Sequence, residues 1–224
     1  MSPRIALGAV VLGSLVVSIA SAGQQPPTGH IPDHLEHRFD DPERYARQFD
    51  DPARDAWQMP ARVIASLDIR PGQSIADIGA GTGYFSIPLA ALPARPTVYA
   101  VDIEPSMVEY VTKRAAEVGL TNLVGVMAGA DSPHLPAPVD VVLIVDTYHH
   151  IGSRVAYFEA LRASIRPDGR LAIIDFRKDA PGGPPPEFRF TADQITSELG
   201  QAGYELVASH DFLPRQHFLV YRVK

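Results

Sequence analysis

The chain has no cysteine among its 224 residues. That excludes disulfides and a thiol for lipid attachment, and it makes an oxidising compartment harmless to the fold. Also missing are any lysine- and arginine-rich block and any basic stripe interleaved with aromatics. The 20 basic side chains are scattered among 26 acidic ones, for a formal charge of −6, so nucleic acid is not an expected partner. No zinc-finger or metalloenzyme spacing occurs. His30, His34 and His37 stand near Asp33 and Glu36, but a solvated entry segment accounts for the same letters, and no metal is expected. Long apolar runs are short of a comfortable membrane span too: Ile5 to Ala20 is brief and interrupted by glycine and serine.

What the chain does contain is concentrated at residues 76–83, Ala-Asp-Ile-Gly-Ala-Gly-Thr-Gly. A short apolar run (Ile75, Ala76, Ile78) carries one acid, Asp77, and breaks into Gly79, Gly81 and Gly83. Phe85, Ile87, Leu89 and Ala90 follow with helical spacing, and Pro88 fits only in that helix's first turn. Strand, glycine turn and helix in this order mark the place where an α/β sheet binds a nucleotide-like ligand. Glycine lets the backbone turn sharply and approach a ligand without a Cβ in the way. A dinucleotide fingerprint starting at Gly79 would want a third glycine where Tyr84 stands. The acid-preceded form with alternate glycines instead resembles motif I of class I S-adenosylmethionine (SAM)-dependent methyltransferases.

The following segments extend that resemblance over residues 60–224. Residues 97–104 alternate as a β-branched strand ending at Asp102, where a carboxylate can accept from both hydroxyls of a ribose. A third strand, Leu123 to Met127, leads to Asp131. The run Val139 to Val145 is apolar on both faces, as in a buried parallel strand, and ends in Asp146-Thr147-Tyr148-His149-His150. Then come a helix from Arg154 to Ile165, a turn at Arg166–Gly169, and a strand from Arg170 to Phe176. A loop rich in proline and glycine follows at Pro181–Pro186, then a helix from about Ala192 to Ala202. Apolar runs at Tyr204–Ala208 and His217–Val223 close the chain. The expected fold is a doubly wound, Rossmann-like α/β sheet of about seven strands, mostly parallel, with an antiparallel last edge strand.

The resemblance implies SAM as cofactor and an activity that transfers its methyl group to an acceptor by in-line displacement. It assigns Asp77, Gly79, Gly81, Gly83, Asp102, Ile103 and Asp131 to the cofactor. It puts the end of the fourth strand beside the reacting methyl, so His150, His149 and Asp146, in that order, are the candidates for a general base. The acceptor is expected to be a small molecule, which nothing in the sequence identifies. Two other functions remain open: a noncatalytic SAM- or nucleoside-binding module, and a nicotinamide-dependent oxidoreductase.

The amino terminus sets the expected compartment and organisation. One arginine, Arg4, an apolar core and Ala20-Ser21-Ala22 form a signal-peptide pattern, so residues 1–22 are read as a leader and the chain as exported, periplasmic or secreted, with no stable membrane span after cleavage. Residues 23–37 are a linker, and residues 38–59 a short helical lid on the methyltransferase domain at 60–224. The lid holds a repeat at ten-residue offset, Phe39-Asp40-Asp41-Pro42 and Phe49-Asp50-Asp51-Pro52. Asp41 and Asp51 are placed as helix N-caps, with proline at the first helical position and the phenylalanines anchoring each helix. Tyr45, Arg54, Trp57 and Gln58 are the residues it would carry over the pocket.

Overall fold

A computed structural model describes Met1 and residues 39–224. The leader, the linker and the histidine cluster at 30–37 lie outside the described residues. The amino-terminal repeat folds as its spacing predicts. Asp41 caps α1 (Pro42–Phe49), its carboxylate accepting from the Arg44 amide at 3.0 Å, and Asp51 accepts from the Ala53 amide at 2.9 Å to open a single 3-10 turn. That turn runs into α2 (Asp55–Gln58), and Met59, in a left-handed conformation, joins it to α3 (Pro60–Ser66). Phe39, Tyr45 and Phe49 pack ring against ring, with centroids 4.9 to 5.7 Å apart.

The sheet is assembled from β1 (Ser74–Ile78), β2 (Thr97–Asp102), β3 (Leu123–Met127), β4 (Val139–Val145), β5 (Ile165–Phe176), β6 (Tyr204–His210) and β7 (Gln216–Val223). Their order is β3-β2-β1-β4-β5-β7-β6, with the first five parallel and β7 antiparallel to both neighbours. The last strand is therefore antiparallel as expected, but it sits one place in from the edge and β6 lies outside it. Three helices, α3, α4 (Ser86–Ala90) and α5 (Pro105–Glu117), cover one face, and α6 (Arg154–Leu161) with α7 (Ala192–Gln201) cover the other. Strand β4 shows why its sequence lacks alternation. Val141, Leu143 and Val145 feed one core while Val142 and Ile144 feed the other, and all are buried. Order reverses between β1 and β4, which opens a crevice at their carboxyl ends.

One local expectation is corrected. Residues 166–169 do not form a free turn but run inside β5, as a bulge between the pairs Val139–Ile165 and Val141–Arg170. The close approach of Gly169 to Ile165 and the Asp140 carbonyl, where a Cβ would lie within about 3 Å of both, lets the chain pack there. Among the described residues, no helix is long and apolar enough to cross a membrane.

The glycine loop divides its work between packing and access. A Cβ on Gly79 would sit 2.1 Å from Thr147 Oγ1, and one on Gly83 would sit 2.6 Å from Val111 Cγ2. Both residues have positive φ, +77° and +89°. Gly83→Ala should accordingly lower stability by about 2–4 kcal/mol, from backbone strain and overpacking against α5. A urea midpoint equal to that of the parent chain would refute this packing role.

Candidate active site

The glycine loop is stitched to the neighbouring strand by its own amides. Gly79 and Ala80 both donate to the Val101 carbonyl, at 2.8 and 3.0 Å, and the Gly81 amide donates to Asp102 Oδ2 at 2.8 Å. Asp102 Oδ1 accepts from the Glu104 amide at 3.0 Å. Its carboxylate is thus fixed at the tip of β2, with lone pairs left for further donors. Beside it Ile103 is 54% exposed, and Met127, its cross-strand neighbour's side chain, is 42% exposed. These are apolar surfaces at the end of a sheet where a flat, partly apolar ligand would lie.

Three more acids sit at the carboxyl ends of the central strands. Asp77 is buried and accepts from Ser86 Oγ at 2.6 Å. Burial pushes it up to about 6, against the lowering effect of that hydrogen bond. Asp146 has a left-handed backbone, φ +52°, and its carboxylate accepts from Gln216 Nε2 at 2.6 Å and Arg54 Nη2 at 3.3 Å. Burial raises it well above the usual carboxylate range despite Arg54. Asp175, at the end of β5, accepts from the His149 and Phe176 amides and lies 3.0 Å from His149 Nδ1 through either oxygen. Asp102 too is raised by burial, with the Glu104 and Gly81 amides opposing.

The lid is tied down on both sides of the glycine loop. Asp50 accepts from Thr82 Oγ1 at 3.0 Å and from Arg114 at 2.7 Å, and Arg114 also donates to the Thr82 carbonyl. The Phe49 ring lies 3.4 Å from where a Cβ of Gly81 would be. Arg54 donates to the Phe49 carbonyl at 2.9 Å and to Gln58 at 3.2 Å, and its guanidinium stacks 4.3 Å from the Tyr84 ring. Gln58 is fully buried and donates to Gln216 at 2.9 Å. Lid and last strand therefore converge on Asp146.

Of the sequence-predicted residues, Asp77, Gly79, Gly81, Gly83, Asp102, Ile103, Asp146, His149 and His150 come to one edge of the sheet. The two histidines differ. His149 is buried against Asp175, while the His150 ring lies 4.2 Å from the His149 ring, tilted by 41°, and meets Phe39 edge-on at 5.8 Å. Burial pulls the His149 imidazolium down, but the hydrogen bond and charge of Asp175, with Asp146 behind, hold it above its ordinary value. Asp131 lies farther along, exposed in a turn closed by the Gly129 amide on the Ser132 carbonyl. Asp175 and Gln216 escaped the sequence reading. An acid ending the apolar run Leu171–Phe176 was the visible signal for the first; nothing local marks the second.

The geometry defines a ligand-binding α/β crevice, and comparison with known proteins places it. Residues 75–169 match the family model described as a methyltransferase domain. A protein-L-isoaspartate O-methyltransferase of Methylorubrum extorquens (strain PA1) is 31% identical over 154 residues, 69% of this chain and 58% of that protein. The chain thus spans less than two thirds of that relative. A SAM-dependent methyltransferase structure from Aquifex aeolicus superposes with a TM-score of 0.75 at 25% identity, covering 82% of this chain and 99% of that one. Magnesium protoporphyrin IX methyltransferase of Synechocystis PCC 6803, solved with bound SAM, has the same fold, with a TM-score of 0.57 at 22% identity and coverage of 84% and 86%. The described residues thus share the α/β fold of SAM-dependent methyltransferases, residues 75–169 carry the methyltransferase-domain match, and SAM is the cofactor to which these likenesses point.

The residues present fit that cofactor. A fixed carboxylate faces the ribose position, an exposed apolar side chain flanks it, Gly81 offers a Cβ-free approach, and buried acids suit a sulfonium and an ammonium. Because a bound cation favours the charged carboxylates, binding should release protons wherever Asp77 is still protonated. SAM affinity should therefore fall as pH is lowered through about 6 and level off above it. Calorimetry in buffers of different ionisation enthalpy measures this. Equal affinity at about pH 5.5 and about pH 7.5, with no proton release, would rule out the acids as the cation's partners.

Proposed function

We propose that the chain transfers the methyl group of SAM to a small-molecule acceptor by in-line displacement. The observation that carries this is Asp102, whose carboxylate holds the Gly81 amide and faces the crevice at the switch point of the sheet. SAM supplies a methyl already activated by its sulfonium, so the protein's work is to bind, align and exclude water. Asp102 orients the ribose hydroxyls, Asp77 receives the amino end, and Ile103 flanks the adenine, with Asp131 as its expected polar partner. Phe49, Arg54 and Gln58 close the crevice from the lid.

A base is required where the acceptor is protonated at working pH. His149, His150 and Asp146 all stand at the end of β4. His149 is favoured over His150 because Asp175 engages Nδ1, which leaves Nε2 to accept a proton; Nε2 makes no hydrogen bond among the described residues. A noncatalytic SAM-binding module would have no use for such a carboxylate-oriented imidazole.

Labelled SAM incubated with the chain and an extract of acceptors tests the activity. Gly81→Val should weaken SAM binding by about tenfold or more while leaving the sheet folded, since a branched side chain there strains the loop at its positive φ and drives into the Phe49 ring of the lid. Unchanged calorimetric affinity in that variant, with turnover intact, would overturn the donor site.

We infer further that the domain acts outside the cytoplasm. Arg4, the apolar run that follows it and Ala20-Ser21-Ala22 support export, and the absence of cysteine is compatible with it. SAM is charged and does not cross a bilayer unaided, so an exported enzyme needs a supplied donor. A reporter active only outside the cytoplasm, fused after Lys224, should be active, with Gly23 as the mature amino terminus. An inactive reporter on a chain that retains Met1 or Ser2 would refute export.

A further inference from the structure

Charge is divided along the crevice. Asp77 and Asp102 lie on the glycine-loop side, whereas beyond Asp146 the edge formed by β5, β7 and the loop after β5 carries arginines. Strands β5 and β7 pair as far as Phe176–Gln216, and the next pair out, Arg177 and Arg215, continues the ladder with the Arg177 amide on the Arg215 carbonyl at 2.9 Å. Like charges directly opposite one another on a sheet are destabilising unless a counter-charge joins them. Neither guanidinium has an ion pair or a side-chain hydrogen bond among the described residues, and both are only partly exposed.

The nearby carboxylates are committed elsewhere. Asp175 holds His149, and Asp146 holds Arg54 and Gln216. Asp179 is exposed and pairs with neither arginine among the described residues. Arg189 adds a third positive charge without an acid: it donates to the carbonyls of Arg177, Lys178, Ala180, Gly182 and Pro184, curling the loop around itself. Arg215 meanwhile stacks 4.9 Å from the ring of Trp57, which packs 5.6 Å from Phe176. An aromatic wall with two uncompensated guanidinium groups thus borders the edge where His149 and Asp146 stand.

We propose that Arg177 and Arg215 bind an anionic group of the methyl acceptor, a carboxylate or a phosphate. This rests on the methyltransferase reading, because it assigns the second half of the same crevice. The guanidinium fork matches either anion, and the ladder repulsion is relieved when the site is filled.

Trp57 is the single tryptophan of the chain and reports on this wall. Its fluorescence, followed in the full chain with S-adenosylhomocysteine (the demethylated form of SAM) present, should change saturably on titration with benzoate or phenyl phosphate and stay unchanged with benzamide. The stronger of the two anions tells carboxylate from phosphate. Arg215→Gln and Arg177→Gln should each weaken the response by about tenfold, with SAM affinity by calorimetry unaltered. Equal response to benzamide, no saturable response to either anion, or anion binding indifferent to both substitutions would overturn the proposal. Failure of SAM to bind in the calorimeter would instead strike the methyltransferase reading, so the two failures are distinguishable.

Discussion

A half-buried carboxylate at the carboxyl end of β4 stays charged only if donors reach it, and the assembly of the site depends on meeting that condition at Asp146. An unpartnered buried charge costs several kcal/mol. Arg54 comes from the lid and Gln216 from the last strand, and Gln58 joins the two. One side chain therefore locks two regions far apart in sequence, the lid and the last strand, onto the end of the central strand. Asp146 meets these partners from a left-handed backbone. Strain of this kind persists where the surroundings over-determine the conformation, as at functional sites.

The same edge divides charge between its two sides. Acids raised by burial collect where the glycine loop meets β2, and each is held by amides or hydroxyls, which stabilise the carboxylate without cancelling its charge. On the far side the loop after β5 folds around Arg189 through carbonyl oxygens, so that guanidinium also keeps its full charge. His149 lies between, its imidazole oriented by Asp175. A low-dielectric crevice strengthens all of these fields relative to water.

Much of this was legible in the residues. The strand–glycine–helix order at 75–90, the acid at the tip of β2, the double burial of β4 and the two proline-led helix starts at Asp41 and Asp51 are all as read. Each depends on interactions within a few residues, namely backbone sterics, capping and side-chain period, which a local pattern encodes. The expected turn at 166–169 failed for a different reason. Whether such residues turn freely or bulge within a strand depends on the register of a partner nearly thirty positions away.

Sequence alone determined the elements, the parallel core with its binding edge, and the chemical types gathered there. Tertiary structure decided which of those types touch. It set β7 between β5 and β6, which brings Gln216 to Asp146 and Arg215 opposite Arg177. It chose between adjacent histidines by burying one against Asp175. It also split the glycines, giving Gly79 and Gly83 to packing while Gly81 faces the lid. The physical reason is common to all three: strand order and register are fixed by long-range burial and pairing, whose energy belongs to the assembled cores and to no single segment.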